Sequence, residues 1–142
     1  MDERLPTAVS SAPEIVQMWT QVSILQSLLN DMLSLKKELR TDCVINAVAA
    51  IMEPGMTLDM VISELEERMR LAVKQFDEAA DKLLKKTEFR KEIRPIVERY
   101  ANGYRSIVTG MLKFTLTSPR YDISKLIQED VCSLDRIQSG PV

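Results

Sequence analysis

Residues 57–86 read TLDMVISELEERMRLAVKQFDEAADKLLKK, and the spacing within this stretch decides the fold class. Leu58, Val61, Ile62, Leu65, Met69, Ala72, Val73, Phe76, Ala79, Ala80 and Leu83 recur at steps of three or four and mark one apolar helical stripe. Opposite that stripe, Glu64/Arg68, Glu66/Arg70, Lys74/Glu78, Glu78/Lys82 and Asp81/Lys85 are opposite charges one helical turn apart. Thr57 is suited to cap the start and Asp59 to the first turn, while Lys82, Lys85 and Lys86 collect at the end, as the helix dipole favours.

Toward the N-terminus, Ile15, Met18, Trp19, Val22, Leu25, Leu28, Leu29, Met32, Leu33, Leu35 and Leu39 predict a long helix from Pro13 to Arg40 with a broad buried face. Pro13 fits its first turn, where a missing N–H costs nothing. Between the two long helices, CVINAVAAIM (Cys43–Met52) is a short apolar run stopped by Glu53-Pro54-Gly55. Its brevity leaves helix and strand open, and an all-helical setting tips it to helix. Toward the C-terminus, a helical pattern runs from Phe89 through Ile93, Val97, Tyr100, Tyr104, Val108 and Leu112 to Leu116, and Ser118-Pro119 ends it. Pro95 is expected to kink or restart that helix. The chain is therefore expected to be an all-α bundle of three long helices and one short one. It divides into an irregular lead-in over 1–12, a helical domain over 13–121 and a tail over 122–142.

Composition narrows the function. A chain of 142 residues is one domain, able to bury roughly 70% of its unfolded surface. At 45% hydrophobic and 28% charged it is globular in character, and four glycines with six prolines leave little turn chemistry for a many-stranded sheet. With 19 basic against 21 acidic residues, no positive field recommends nucleic acid as a partner. Histidine is absent, which removes Ser-His-Asp triads, Cys-His dyads, HExxH zinc sites and haem ligation by histidine. Cys43 and Cys132 fall outside any CxxC spacing, so a reducing, cytoplasmic compartment is expected. The first fifteen residues carry no signal-peptide pattern, and no apolar run is long enough to span a membrane.

The stretch that carries chemistry is Asn30-Asp31-Met32-Leu33-Ser34-Leu35-Lys36-Lys37-Glu38. Asn30, Ser34 and Glu38 stand four apart, so an amide oxygen, a hydroxyl and a carboxylate project from one stripe of the helix. These are hard oxygen donors, and Mg²⁺ takes such ligands while completing its shell with water and substrate phosphate. Because only one of the three is charged, the set suits a metal that arrives together with a diphosphate. Lys37 is placed to meet the same diphosphate as a point charge. A plainer reading stands beside it: Asn and Ser facing solvent, and Glu38 on an ordinary last-turn surface. Against that, Asn30 and Ser34 interrupt a strongly apolar segment, and buried polar groups without partners cost about 1–3 kcal/mol each.

NDMLSLKKE resembles the second metal-binding motif, the NSE/DTE element, of class I terpene cyclases of fungal and bacterial type. The Leu5-Pro6 lead-in and the helix ending in Ser118-Pro119-Arg120-Tyr121 are also similar to that family, so the likeness covers most of 5–121. The resemblance implies a helical bundle corresponding to the C-terminal part of the class I terpenoid synthase fold. It implies Mg²⁺ on Asn30, Ser34 and Glu38, with Lys37, Arg120 and Tyr121 on the diphosphate of an isoprenyl substrate, farnesyl diphosphate being the expected one. It also calls for an aspartate-rich motif and a diphosphate-sensing arginine upstream; no DDxxD run occurs here, and Glu66-Glu67, Asp77-Glu78 and Glu129-Asp130 do not match its spacing. The chain therefore reads as the C-terminal portion of a cyclase that lacks the other wall of the active site, with no identifiable general base; self-association or a second chain is the expected partner. The alternative is a catalytically inactive helical interaction module whose uncovered apolar faces pack on a partner.

Overall fold

The computed structural model describes residues 5–40, 46–88, 90–119 and 121, apart from the side chains of Ala8, Lys36, Lys37, Leu39 and Arg40. Five helices follow in order: α1 (Thr7–Ser10), α2 (Pro13–Arg40), α3 (Ala47–Ile51), α4 (Leu58–Lys86) and α5 (Arg94–Thr117). Among the described residues there is no strand, so the chain is all-α as its periodicity requires. Within the lead-in, Thr7–Ser10 forms one helical turn after Pro6, and Val9 tucks into the core. A four-residue turn is too short to leave a periodic signature.

α2 starts at Pro13 and α4 is capped by the Thr57 side chain, which accepts from the Met60 N–H at 3.3 Å. Before α4, Glu53-Pro54-Gly55-Met56 turns the chain, with Met56 N–H donating to the Glu53 carbonyl at 3.0 Å and Gly55 at φ 92. Proline second and a positive-φ glycine third is the type II pattern, and glycine fills that position without a Cβ penalty. Pro95 restarts rather than kinks the last helix: α5 opens at Arg94 with the proline in its first turn. Of the charge pairs on α4, Arg68–Glu64 (2.8 Å) and Arg70–Glu66 (3.7 Å) close. The pairings among Lys74, Glu78, Lys82, Asp81 and Lys85 form no ion pair among the described residues, as expected for long side chains on a solvated face.

Two apolar clusters hold the helices together. In the first, Ile15, Met18 and Val22 of α2 meet Phe76, Ala79, Ala80 and Leu83 of α4 and Val97 and Ala101 of α5. In the second, Val48 of α3 sits with Val61 and Leu65 of α4 against Leu28, Met32 and Leu35 of α2. The early part of α2 thus meets the late part of α4, and the reverse, so those helices run antiparallel. α5 runs along α2 in the same direction, delivering residue 121 to the neighbourhood of Asn30. That topology positions the site.

At the opposite end, the Lys86 ammonium donates to Glu14 Oε1 at 2.5 Å, pinning the end of α4 to the start of α2. The hydrogen bond from Lys86 holds the Glu14 carboxyl below its usual range, against burial, which pushes it up. A lowered folded-state pKa contributes stability above the unfolded glutamate value of about 4.3 and loses it as pH falls through the folded value. Glu14→Gln is therefore expected to flatten the acid limb of a stability–pH curve measured by urea unfolding, leaving the neutral-to-alkaline shape unchanged.

Candidate metal site

The site lies on the last three turns of α2, where it faces α3 and the chain segment beyond α5. Ser34 is fully buried (0% exposed), and Asn30 and Glu38 are partly buried on the same stripe. Ser34 Oγ donates to Glu38 Oε1 at 2.5 Å, a short contact across one helical turn. The buried hydroxyl therefore has a partner within its own helix. The case for a cation rests on the donor set, not on an unsatisfied group.

Asn30 meets a residue distant in sequence: the Tyr121 hydroxyl stands 3.5 Å from Asn30 Oδ1, at the outer limit of a hydrogen bond. The structure thus brings together Asn30, Ser34, Glu38 and Tyr121 of the residues singled out in the sequence. Lys37 has its backbone on α2, one residue before Glu38, while its side chain and all of Arg120 lie outside the described residues.

Two further residues, not anticipated from sequence, join the surroundings. Asn46, 6% exposed, caps α3 by accepting from the Val48 N–H at 2.9 Å. Its Nδ2 donates to the Asp31 carbonyl at 2.7 Å and to Glu38 Oε2 at 3.0 Å. Asp31 in turn accepts the Ala47 N–H on Oδ2 at 2.9 Å. An asparagine immediately before the Ala47–Ile51 run is a helix-start signal, and it was available in the sequence.

Chemically, the stripe offers one amide oxygen, one hydroxyl and one carboxylate. Among the described residues no three His, Cys, Asp or Glu side chains converge. Hard oxygen donors of low total charge fit Mg²⁺ that shares its charge with a bound phosphate group. A separate apolar cavity of about 320 Å³ lies between α2, α4 and α5, walled by Val22, Phe76, Tyr104 and Val108 with the Arg105–Asp77 pair (2.7 Å) at its edge. None of the metal candidates lines it. Burial, then the neighbouring Tyr100, pushes the Tyr104 phenol up, so it stays neutral at physiological pH.

Comparison with known proteins shows the family. The family described as terpene synthase family 2, C-terminal metal binding, matches residues 1–75, which include the whole of Asn30–Glu38. The chain belongs to this family. It is also similar to the sesquiterpene cyclase hepA of Aspergillus oryzae (strain ATCC 42149 / RIB 40), at 26% identity over 127 residues, 88% of this chain and 34% of that protein. The chain thus spans about a third of the length of the curated relative it matches. No solved structure matches. No helix among the described residues is long and apolar enough to cross a membrane.

Proposed function

We propose that this chain is the metal-binding portion of a terpene cyclase that ionises an isoprenyl diphosphate of farnesyl size. Asn30, Ser34 and Glu38 hold Mg²⁺, and Lys37, Arg120 and Tyr121 hold the diphosphate. The observation that carries it is the oxygen-donor stripe itself, with Ser34 and Glu38 in contact and Tyr121 brought to Asn30 by the run of α5 along α2. The sesquiterpene cyclase relative supports the farnesyl size class. When bound, Mg²⁺ supplies charge stabilisation to the diphosphate as it leaves. The protein residues orient: Asn30 and Glu38 fix the positions of the donors, while the Lys37 and Arg120 cations and the Tyr121 phenol meet phosphate oxygens. No aspartate-rich run occurs in these 142 residues, so a second copy of the same sequence cannot supply the wall that the resemblance calls for.

The test is thermal unfolding with Mg²⁺ and inorganic diphosphate, singly and together. At about 100 times the dissociation constant a ligand stabilises by about 2.7 kcal/mol, which raises the midpoint of a chain this size by roughly 5–10 °C. That rise is expected only when both are present. A midpoint indifferent to the pair sinks the assignment.

One observation favours the second reading, a helical association module. Trp19 is 64% exposed on the outer face of α2, beside Val16 and Ile24, and this apolar strip continues through Leu28 onto Leu71 of α4. Exposed apolar surface of this kind marks contact with a partner. If a second copy covers it, sedimentation shows a concentration-dependent dimer that Trp19→Ser weakens by about 10–30-fold, the effect of removing a tryptophan anchor. A chain that stays monomeric at roughly 100 µM removes self-association as its role.

A further inference from the structure

We propose that Asn46 is a positioning residue for Glu38, fixing which carboxylate oxygen is turned toward the metal stripe; this rests on the metal assignment above. The amide uses all of its polar groups. Its Oδ1 is spent on the Val48 N–H, and its Nδ2 carries two donors, one to the Asp31 carbonyl and one to Glu38 Oε2. Few side-chain types can do this, because the arrangement needs an acceptor and two divergent donors on a short stem. Aspartate keeps the cap and loses both donors; serine keeps the cap and has one hydroxyl hydrogen on a shorter stem in place of the two amide hydrogens.

The consequence falls on Glu38. It sits in the last turn of α2, where helices fray and a three-carbon stem has several rotamers open. Among its partners, Ser34 Oγ donates to Oε1 at 2.5 Å and Asn46 Nδ2 donates to Oε2 at 3.0 Å. Oε1 is thereby kept on the side of Ser34, and Oε2 is drawn toward Asn46 at the start of α3. With Oε2 engaged by Asn46, Oε1 beside the serine hydroxyl is the oxygen that would be offered to a metal on the stripe.

Asn46 can hold Glu38 only because it is itself held. α3 is tied to α2 twice, through Asn46 Nδ2 to the Asp31 carbonyl and through the Ala47 N–H to Asp31 Oδ2. On its other side, Val48 is 2% exposed against Val61 and Leu65 of α4. The short helix is thus a strut between two long ones, with the amide at its tip. Partners that orient a metal ligand typically change metal affinity by 10–100-fold when removed.

The experiment measures Mn²⁺ affinity of the full chain by loss of the free-ion electron paramagnetic resonance signal. Wild type, Asn46→Ser, Glu38→Ala and Val48→Ala are compared, beside a metal-free double-mutant cycle between Asn46→Ser and Glu38→Ala by urea unfolding. Asn46→Ser is expected to weaken Mn²⁺ by 10–100-fold. Val48→Ala, which loosens the seating of α3 but spares the amide, is expected to cost less than half of that on a logarithmic scale. The cycle is expected to be non-additive, since each mutation removes the same contact. If wild type binds Mn²⁺ and Asn46→Ser binds it equally well, the positioning role is overturned. If wild type binds no Mn²⁺, the metal assignment is what fails; the cycle then decides alone, coupling upholding the hold of Asn46 on Glu38 and additivity overturning it.

Discussion

Glu38→Gln is expected to abolish the joint stabilisation by Mg²⁺ and inorganic diphosphate while leaving the ligand-free midpoint within a few degrees of wild type. The carboxylate is the one formal charge among the three donors on the stripe. Replacing it by an amide removes the strongest attraction for a divalent cation, an effect of roughly 100-fold or more in affinity by comparison with the 10–100-fold typical of outer contacts. An amide oxygen still accepts from Ser34, so the hydroxyl, 0% exposed, keeps its partner, while the amide nitrogen faces the Asn46 donor and that one hydrogen bond is lost. Glu38→Ala removes the charge and the acceptor together. It is expected to lose the ligand response and also to lower ligand-free stability, by about 1–3 kcal/mol for a buried hydroxyl left unpaired. Melting curves of the two variants, with and without Mg²⁺ and diphosphate, separate binding from folding. A Glu38→Gln chain that still responds to the pair places the metal elsewhere.

The residues that were legible in advance are those whose structure is decided locally. Helical period alone fixes that Asn30, Ser34 and Glu38 share a stripe, because a step of four residues turns a side chain only about 40° around the axis. Capping chemistry likewise announces the start of α4 at Thr57, whereas Pro95 leaves a kink and a restart open in a pattern that runs from Phe89, and α5 starts at Arg94. What stayed out of reach depends on how helices pack. Nothing in the sequence around Lys86 says that its partner is Glu14, because the pair spans 72 residues and exists only once α2 and α4 lie antiparallel. The meeting of Tyr121 with Asn30 spans 91 residues for the same kind of reason. Burial of Ser34 was foreseen from its apolar neighbours, but not that Glu38, one turn on, would take its hydrogen. Asn46 falls between these cases. Its role as a cap is a local matter, while its reach back to Glu38 follows from where α3 is seated.

That seating underlies the second large effect. Leu65 is fully buried between Val48 of α3 and the stretch of α2 that carries the site, packed with Val61 against Leu28, Met32 and Leu35. Phe76 is buried in the other cluster, against α2 and α5 and edge-on to Tyr104 at 6.3 Å between ring centres. Truncating either leaves a cavity: about 2–5 kcal/mol for Leu65→Ala and about 3–5 kcal/mol for Phe76→Ala, read as a drop in urea stability. The two should nevertheless part company at the site. Leu65→Ala removes the floor on which α3 stands, so the Asn46 amide loses its fixed distance to Glu38 and Mn²⁺ affinity of the folded chain falls. Phe76→Ala destabilises the bundle near Tyr104 and leaves the strut in place, so affinity measured in the folded chain stays near wild type. The comparison must be made where both variants remain at least about 90% folded, since an unfolded fraction lowers apparent affinity in either. Equal losses from the two would mean that the clusters move as one cooperative unit and that the site has no local support of its own.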